Sequence, residues 1–222
     1  MQFRLGSGLH RSAADSRKTS SGHGLKAPVW SRGRFLCRAL AAGTAAAGAG
    51  VLVERTAGVG ARPSASLDQR ILNFSLLLEY LQAAFYTDAL ARGGLRGELR
   101  EFAETCASHE RAHAAALRDA LGRAAREKPR FRFGDATRDP RNFGRVAHDL
   151  ENLGVAAYNA QAANLTTASL AKACNIVSVE GRHAAWISDL TGRDPAPAAA
   201  DPGLSADRVA ARLRATGFLV PG

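Results

Sequence analysis

Two Glu-x-x-His pairs, Glu110–His113 in "SHERAHAAAL" (108–117) and Glu180–His183 in "VSVEGRHAAW" (177–186), constrain this chain most. Each lies in a long stretch whose other residues repeat like a buried helix. Residues three apart share a helix face, so each carboxylate and its imidazole point the same way. A carboxylate on a packed face is costly unless a hydrogen bond, a counter-charge or a metal compensates it. With nine Glu and six His in 222 residues, chance supplies about 0.24 such pairs (9 × 6 / 222), and two occur.

The pairs belong to a larger repeat. Glu79 precedes Glu110 by 31 residues, and Glu151 precedes Glu180 by 29. Tyr86 follows Glu79 by seven residues, and Tyr158 follows Glu151 by seven. Seven residues is close to two helical turns, so each Glu–Tyr pair shares a face. The flanking residues Leu76, Leu78 and Ala83, and Ala147, Gly154 and Val155, make both faces apolar. Four carboxylates and two imidazoles thus fall on inward stripes of four helices. Four clustered carboxylates without a counter-charge repel one another and draw protons. Two divalent ions balance them, and a carboxylate and imidazole set without thiolates suits iron or manganese.

Four long helical patterns carry these residues, at about 67–92, 95–127, 143–164 and 168–191. Asp68 sits at the start of the first, and Gly93-Gly94 stop it; Lys128-Pro129 end the second. Thr166 and Thr167 cap the fourth. "PRFRFGDATRDPRN" (129–142) is a punctuated connection, "GRDPAPAAADPG" (192–203) is a linker, and a short amphipathic helix at about 205–215 closes the chain. The expected fold is all-α: a four-helix bundle over 62–197, built of two antiparallel hairpins joined by a long crossover, followed by a linker and short helix in 198–222.

The net charge of +10 invites a nucleic-acid reading, but its distribution removes the support. Residues 1–61 hold nine Lys/Arg against two acids, whereas 62–222 hold 21 against 18. The basic run Arg123, Arg126, Lys128, Arg130, Arg132 reads as a solvated helix end whose Phe131 and Phe133 pack, so no nucleic-acid partner is expected. The first 61 residues read as an export or targeting segment. "ALAAGTAAAGAGVLV" (39–53) is too short to span a bilayer and suits a signal-peptide apolar region, leaving no membrane span after its removal. "SRGRFLCR" (31–38) is similar to a twin-arginine export signal, with Gly33 where the second arginine belongs. The expected destination is periplasm, cell envelope or extracellular space, with an organelle transit peptide as the alternative. Cys106 and Cys174 read as two small buried side chains, His109 and His148 as surface residues or neighbours of the ligands, and Arg182 as outward-facing.

The pieces "LLLEYLQAAFYTDAL" (76–90), "FRFGDATRDPRNF" (131–143), "DLENLGVAAYNAQAANL" (149–165) and "IVSVEGRHAAWI" (176–187) resemble the ferritin-like family that includes bacterial exported proteins and plant desiccation-related proteins. That resemblance implies a dinuclear centre of two iron or manganese ions. Glu110 and Glu180 would bridge them, with Glu79, Glu151, His113 and His183 as terminal ligands. Tyr86 and Tyr158 would be hydrogen-bond donors to the ligands or core tyrosines. The implied function is an oxidase, ferroxidase or peroxide-reducing activity, with O2 or peroxide as partner. The alternatives are a non-catalytic metal-binding or structural stress protein of the envelope, a DNA-protecting mini-ferritin and a storage cage. Near-balanced charge, the export signal and ligands inside one bundle count against the mini-ferritin, and nothing in the last linker supports a cage.

Overall fold

The computed structural model describes residues 62–221. Residues 1–61, with the apolar region at 39–53 and the expected targeting role, lie outside the described residues. Five α-helices account for the described fold: α1 (Ala65–Arg92), α2 (Gly97–Leu121), α3 (Pro140–Gln161), α4 (Thr167–Leu190) and α5 (Ala206–Thr216). α1 pairs with α2 and α3 with α4, which makes the two hairpins. The connection 122–139 joins them, and α5 packs on α3. Among the described residues no helix is long and apolar enough to cross a membrane.

Local chemistry explains where the helices begin and end. Ser64 caps α1 by accepting the Leu67 N–H, and Gly93 closes it at φ 69°, a conformation that glycine adopts without strain. Asp139 accepts the Asn142 N–H, and Pro140 supplies the fixed φ of a first helical position, so α3 starts at 140 rather than 143. α2 ends at Leu121, short of the 127 expected from sequence. Gly122 turns the chain at φ 54°, and residues 122–124 continue as a single 3-10 turn. The Thr166 side chain makes no cap bond to α4. Asp68, from the first turn of α1, accepts instead from the Thr166 N–H at 2.9 Å, its hydroxyl at 2.5 Å and the Ser169 hydroxyl at 2.7 Å. A residue expected to start one helix therefore also holds the start of another.

The core has two apolar clusters. One gathers Phe85, Tyr86, Phe102, Phe143, Ile187 and Leu213. There Phe85 stacks on Phe143 with ring centroids 5.3 Å apart. The other gathers Leu67, Ile71, Leu76, Leu117, Tyr158 and Ile176. The tail folds back over the crossover, where the Arg132 N–H donates to the Phe218 carbonyl and the Val220 N–H to the Arg130 carbonyl. Phe133 is buried and Phe131 packs beside it, as the sequence suggested.

Candidate metal centre

All six repeat residues meet inside the bundle. Glu79 (α1), Glu110 and His113 (α2), Glu151 (α3), Glu180 and His183 (α4) converge from the four long helices. The four carboxylates are 0–1% exposed and His183 is 3% exposed. His113 Nδ1 lies 3.0 Å from Glu110 Oε2, 3.0 Å from Glu180 Oε1 and 3.4 Å from Glu79 Oε2. His183 Nδ1 lies 3.1 Å from Glu110 Oε1 and 3.3 Å from Glu151 Oε2. Glu110 thus presents one oxygen to each imidazole.

Each carboxylate has one oxygen in a hydrogen bond, while its other oxygen meets only an imidazole nitrogen, at 3.0–3.4 Å. Tyr158 donates to Glu79 Oε1 at 2.6 Å. Tyr86 donates to Glu151 Oε1 in a short bond, and the Gln82 amide donates to the same oxygen at 3.1 Å and to Glu180 Oε2 at 3.4 Å. The tyrosines are exchanged between hairpins, each bonding the carboxylate of the other hairpin rather than the one on its own helix. Glu110 Oε2 pairs with His113. The remaining oxygens, Glu79 Oε2, Glu110 Oε1, Glu151 Oε2 and Glu180 Oε1, are buried with no hydrogen-bond partner, as is His183 Nδ1. Buried polar atoms are ordinarily satisfied. Five such atoms within one cluster, four carboxylate oxygens and an imidazole nitrogen that is a ligand once deprotonated, form a donor set that fits a cation. The ligand atoms fall into a group from Glu79, Glu110, His113 and Glu180 and a group from Cys106, Glu110, Glu151 and His183. Within each group the atoms lie within 4.8 Å of one another, so each group can hold a metal ion.

The electrostatics agree. Burial, reinforced by Glu151 and Glu79, pushes the Glu110 carboxyl up despite its bond to His113. Burial and the charges of Glu110, Glu79 and Glu151 push Glu180 up. Burial opposes the imidazolium at His113, but Glu110, Glu180 and Glu79 outweigh it and push it up to about 12. The same contest, with Glu151 as the main partner, raises His183. Burial and neighbouring carboxylates raise the Tyr86 and Tyr158 phenols, so both remain hydrogen-bond donors. Without a cation the cluster collects protons, and divalent ions supply the charge that replaces them.

Sequence reasoning missed Gln82 and the role of Gly154, left His109 between the surface and the neighbourhood of the cluster, and misplaced Cys174. Gln82 is 2% exposed and ties Glu151 to Glu180, yet it has no counterpart in the repeat, where Gly154 stands. A Cβ on Gly154 would stand 3.1 Å from Glu180 Oε2 and 3.7 Å from the Gln82 amide, so the glycine makes room for both. His109 Nδ1 lies 2.9 Å from His183 Nε2, with the two rings stacked at 5.1 Å. The tautomer that leaves the His183 Nδ1 lone pair to the cluster carries its proton on Nε2, which then donates to His109. Cys106 is buried beside the cluster, whereas Cys174 is exposed and both thiols are free, which corrects the reading of two small buried side chains. Cys174 lies at an outward α4 position, where Ala173 and Ile176 take the packed face. His148 lies outside the cluster near Asp149, and Arg182 is exposed and donates to the Ser178 carbonyl.

The fold and the cluster define a four-helix bundle with a buried site built from two hairpins that carry the same spacing of site residues. The chain matches the family described as Ferritin-like domain over residues 67–193, more than half of its length, and belongs to that family. No curated protein matches the chain.

Proposed function

We propose that the cluster is a dinuclear metal centre, of iron in the first instance and manganese as the other possibility, and that it serves an oxidase, ferroxidase or peroxide-reducing reaction. One observation carries this reading: five buried atoms without a hydrogen-bond partner fall in one cluster of four carboxylates and two imidazoles. Glu79, His113, Glu151 and His183 would be terminal ligands, Glu110 would serve both ions, and Glu180 would join from the Glu79–His113 side. Bound in pairs, such ions supply electrons to O2 or peroxide. Around them the chain's own residues hold ligand geometry: Tyr158 orients Glu79, Tyr86 and Gln82 orient Glu151, and His109 orients His183. The packed aromatic and aliphatic shell excludes bulk water. The signal-like segment in 1–61 suggests work in the periplasm, envelope or outside the cell, where oxidants and scarce iron are both met.

The test is anaerobic loading of the full chain with ferrous iron, followed by O2 or peroxide. The proposal expects consumption above that of free iron and of a Glu151→Ala variant, together with growth of ferric absorption. Metal that raises the melting temperature while consumption stays at background would contradict the redox reading and leave an ion that only braces the bundle.

A further inference from the structure

The internal repeat breaks at two buried positions: Gln82 bridges the two halves of the cluster, and Cys106 falls on the Glu151–His183 half. Gln82 stands three residues after Glu79, where the other hairpin has Gly154 three after Glu151. Cys106 stands four residues before Glu110, where the other hairpin has Ile176 four before Glu180. Ile176 packs in the apolar cluster with Tyr158 and Leu76. Cys106, by contrast, offers its Sγ within 4.8 Å of ligand atoms from Glu110, Glu151 and His183. It is 0% exposed and in no disulfide. Independently of the thiol, Glu110 Oε1, Glu151 Oε2 and His183 Nδ1 in this half are buried without hydrogen-bond partners.

Resting on the metal-centre reading above, we infer that Cys106 is a further metal ligand in the Glu151–His183 half, so that the two halves are chemically unlike. One half offers carboxylates and imidazole; the other adds a thiolate. On binding, the S–H bond breaks, a sulfur–metal bond forms and the proton leaves to solvent, with no change in metal oxidation state. Thiolate is a softer donor than carboxylate, so the Glu151–His183 half prefers iron or zinc over manganese, while the Glu79–His113 half keeps the harder preference.

Cobalt(II) tests this without any turnover, because a cobalt–thiolate bond gives a near-ultraviolet charge-transfer band that carboxylate and imidazole ligands do not. The full chain carries Cys37→Ser and Cys174→Ser, which leaves Cys106 as its one thiol. Bound cobalt and the band are then measured anaerobically, with and without Cys106→Ser. The inference expects the band in the parent and its loss in Cys106→Ser while cobalt stays bound in the other half. Cobalt bound with no band in the parent, or a band that survives Cys106→Ser, overturns the inference and leaves the metal centre standing. No cobalt bound by the folded parent overturns both. The parent's band decides the matter even if Cys106→Ser does not fold.

Discussion

At the residue scale the site is a set of half-satisfied groups, and each holding contact has a measurable weight. Removing the hydroxyl in Tyr158→Phe frees Glu79 Oε1 of its 2.6 Å bond. Loss of a group that orients a ligand typically costs about 10–100-fold in metal affinity, and that is the expected loss in a metal titration. Tyr158→Phe with unchanged affinity would make the residue an ordinary core tyrosine. Gly154→Ala is the complementary test, since the added methyl stands 3.1 Å from Glu180 Oε2 and must displace that carboxylate. We expect weaker metal binding with helical circular dichroism retained. The six residues that converge in the cluster were legible in the sequence because they obey a repeat, and a repeat is visible without coordinates. Gln82, Gly154 and Cys106 were illegible because they depart from it, and their meaning depends on which neighbour fills the space. His109 was legible as a surface residue or a neighbour of the cluster, and the choice stayed open because its contact crosses from α2 to α4, which no local spacing encodes.

At the scale of elements, helix count and order followed from periodicity and stop signals, and the boundaries that moved did so for local reasons. Gly122 ends α2 before the charged tail that the pattern carried on to 127. Asp139-Pro140 start α3 early. Asp68 is the element-level feature that sequence reading could not supply, because its partners are 98 and 101 residues away. It joins the first turn of α1 to the first turn of α4 with three hydrogen bonds, and so brings the Glu79 and Glu180 helices into register. Asp68→Ala removes a cap of the kind worth about 0.5–2 kcal/mol. Chemical denaturation of the metal-free chain should register a loss in that range, with faster amide exchange in the first turn of α4. Full stability in the variant would show that packing alone sets the helix in place.

At the scale of the whole molecule, the core and the site pull against each other. The apolar clusters on either side of the carboxylates stabilise the bundle, while four buried acids burden it. In the metal-free chain Glu110, Glu180, His113 and His183 are all raised from their ordinary values of 4.5 for Glu and 6.5 for His. A group raised in the folded state contributes stability that is complete below its unfolded value and is lost as pH rises through its folded value. The metal-free chain should therefore lose stability as pH rises from about 5 to 8. Metal binding expels the same protons, so affinity should climb over that range, and the gain in melting temperature on metal addition should be larger at pH 8 than at pH 5. A metal-free melting temperature that rises across this range would contradict the buried, proton-collecting cluster.

The central claim is that the repeat builds a paired metal site, and stoichiometry tests it most directly. The full chain, loaded anaerobically with ferrous iron and desalted, is assayed for iron per chain beside Glu110→Ala, the carboxylate that faces both imidazoles. The account predicts about two irons per chain in the parent, as four carboxylates and two imidazoles on four helices accommodate, and less than one in the variant. A folded, helical parent that retains no iron, or a Glu110→Ala chain that still holds two, would contradict it.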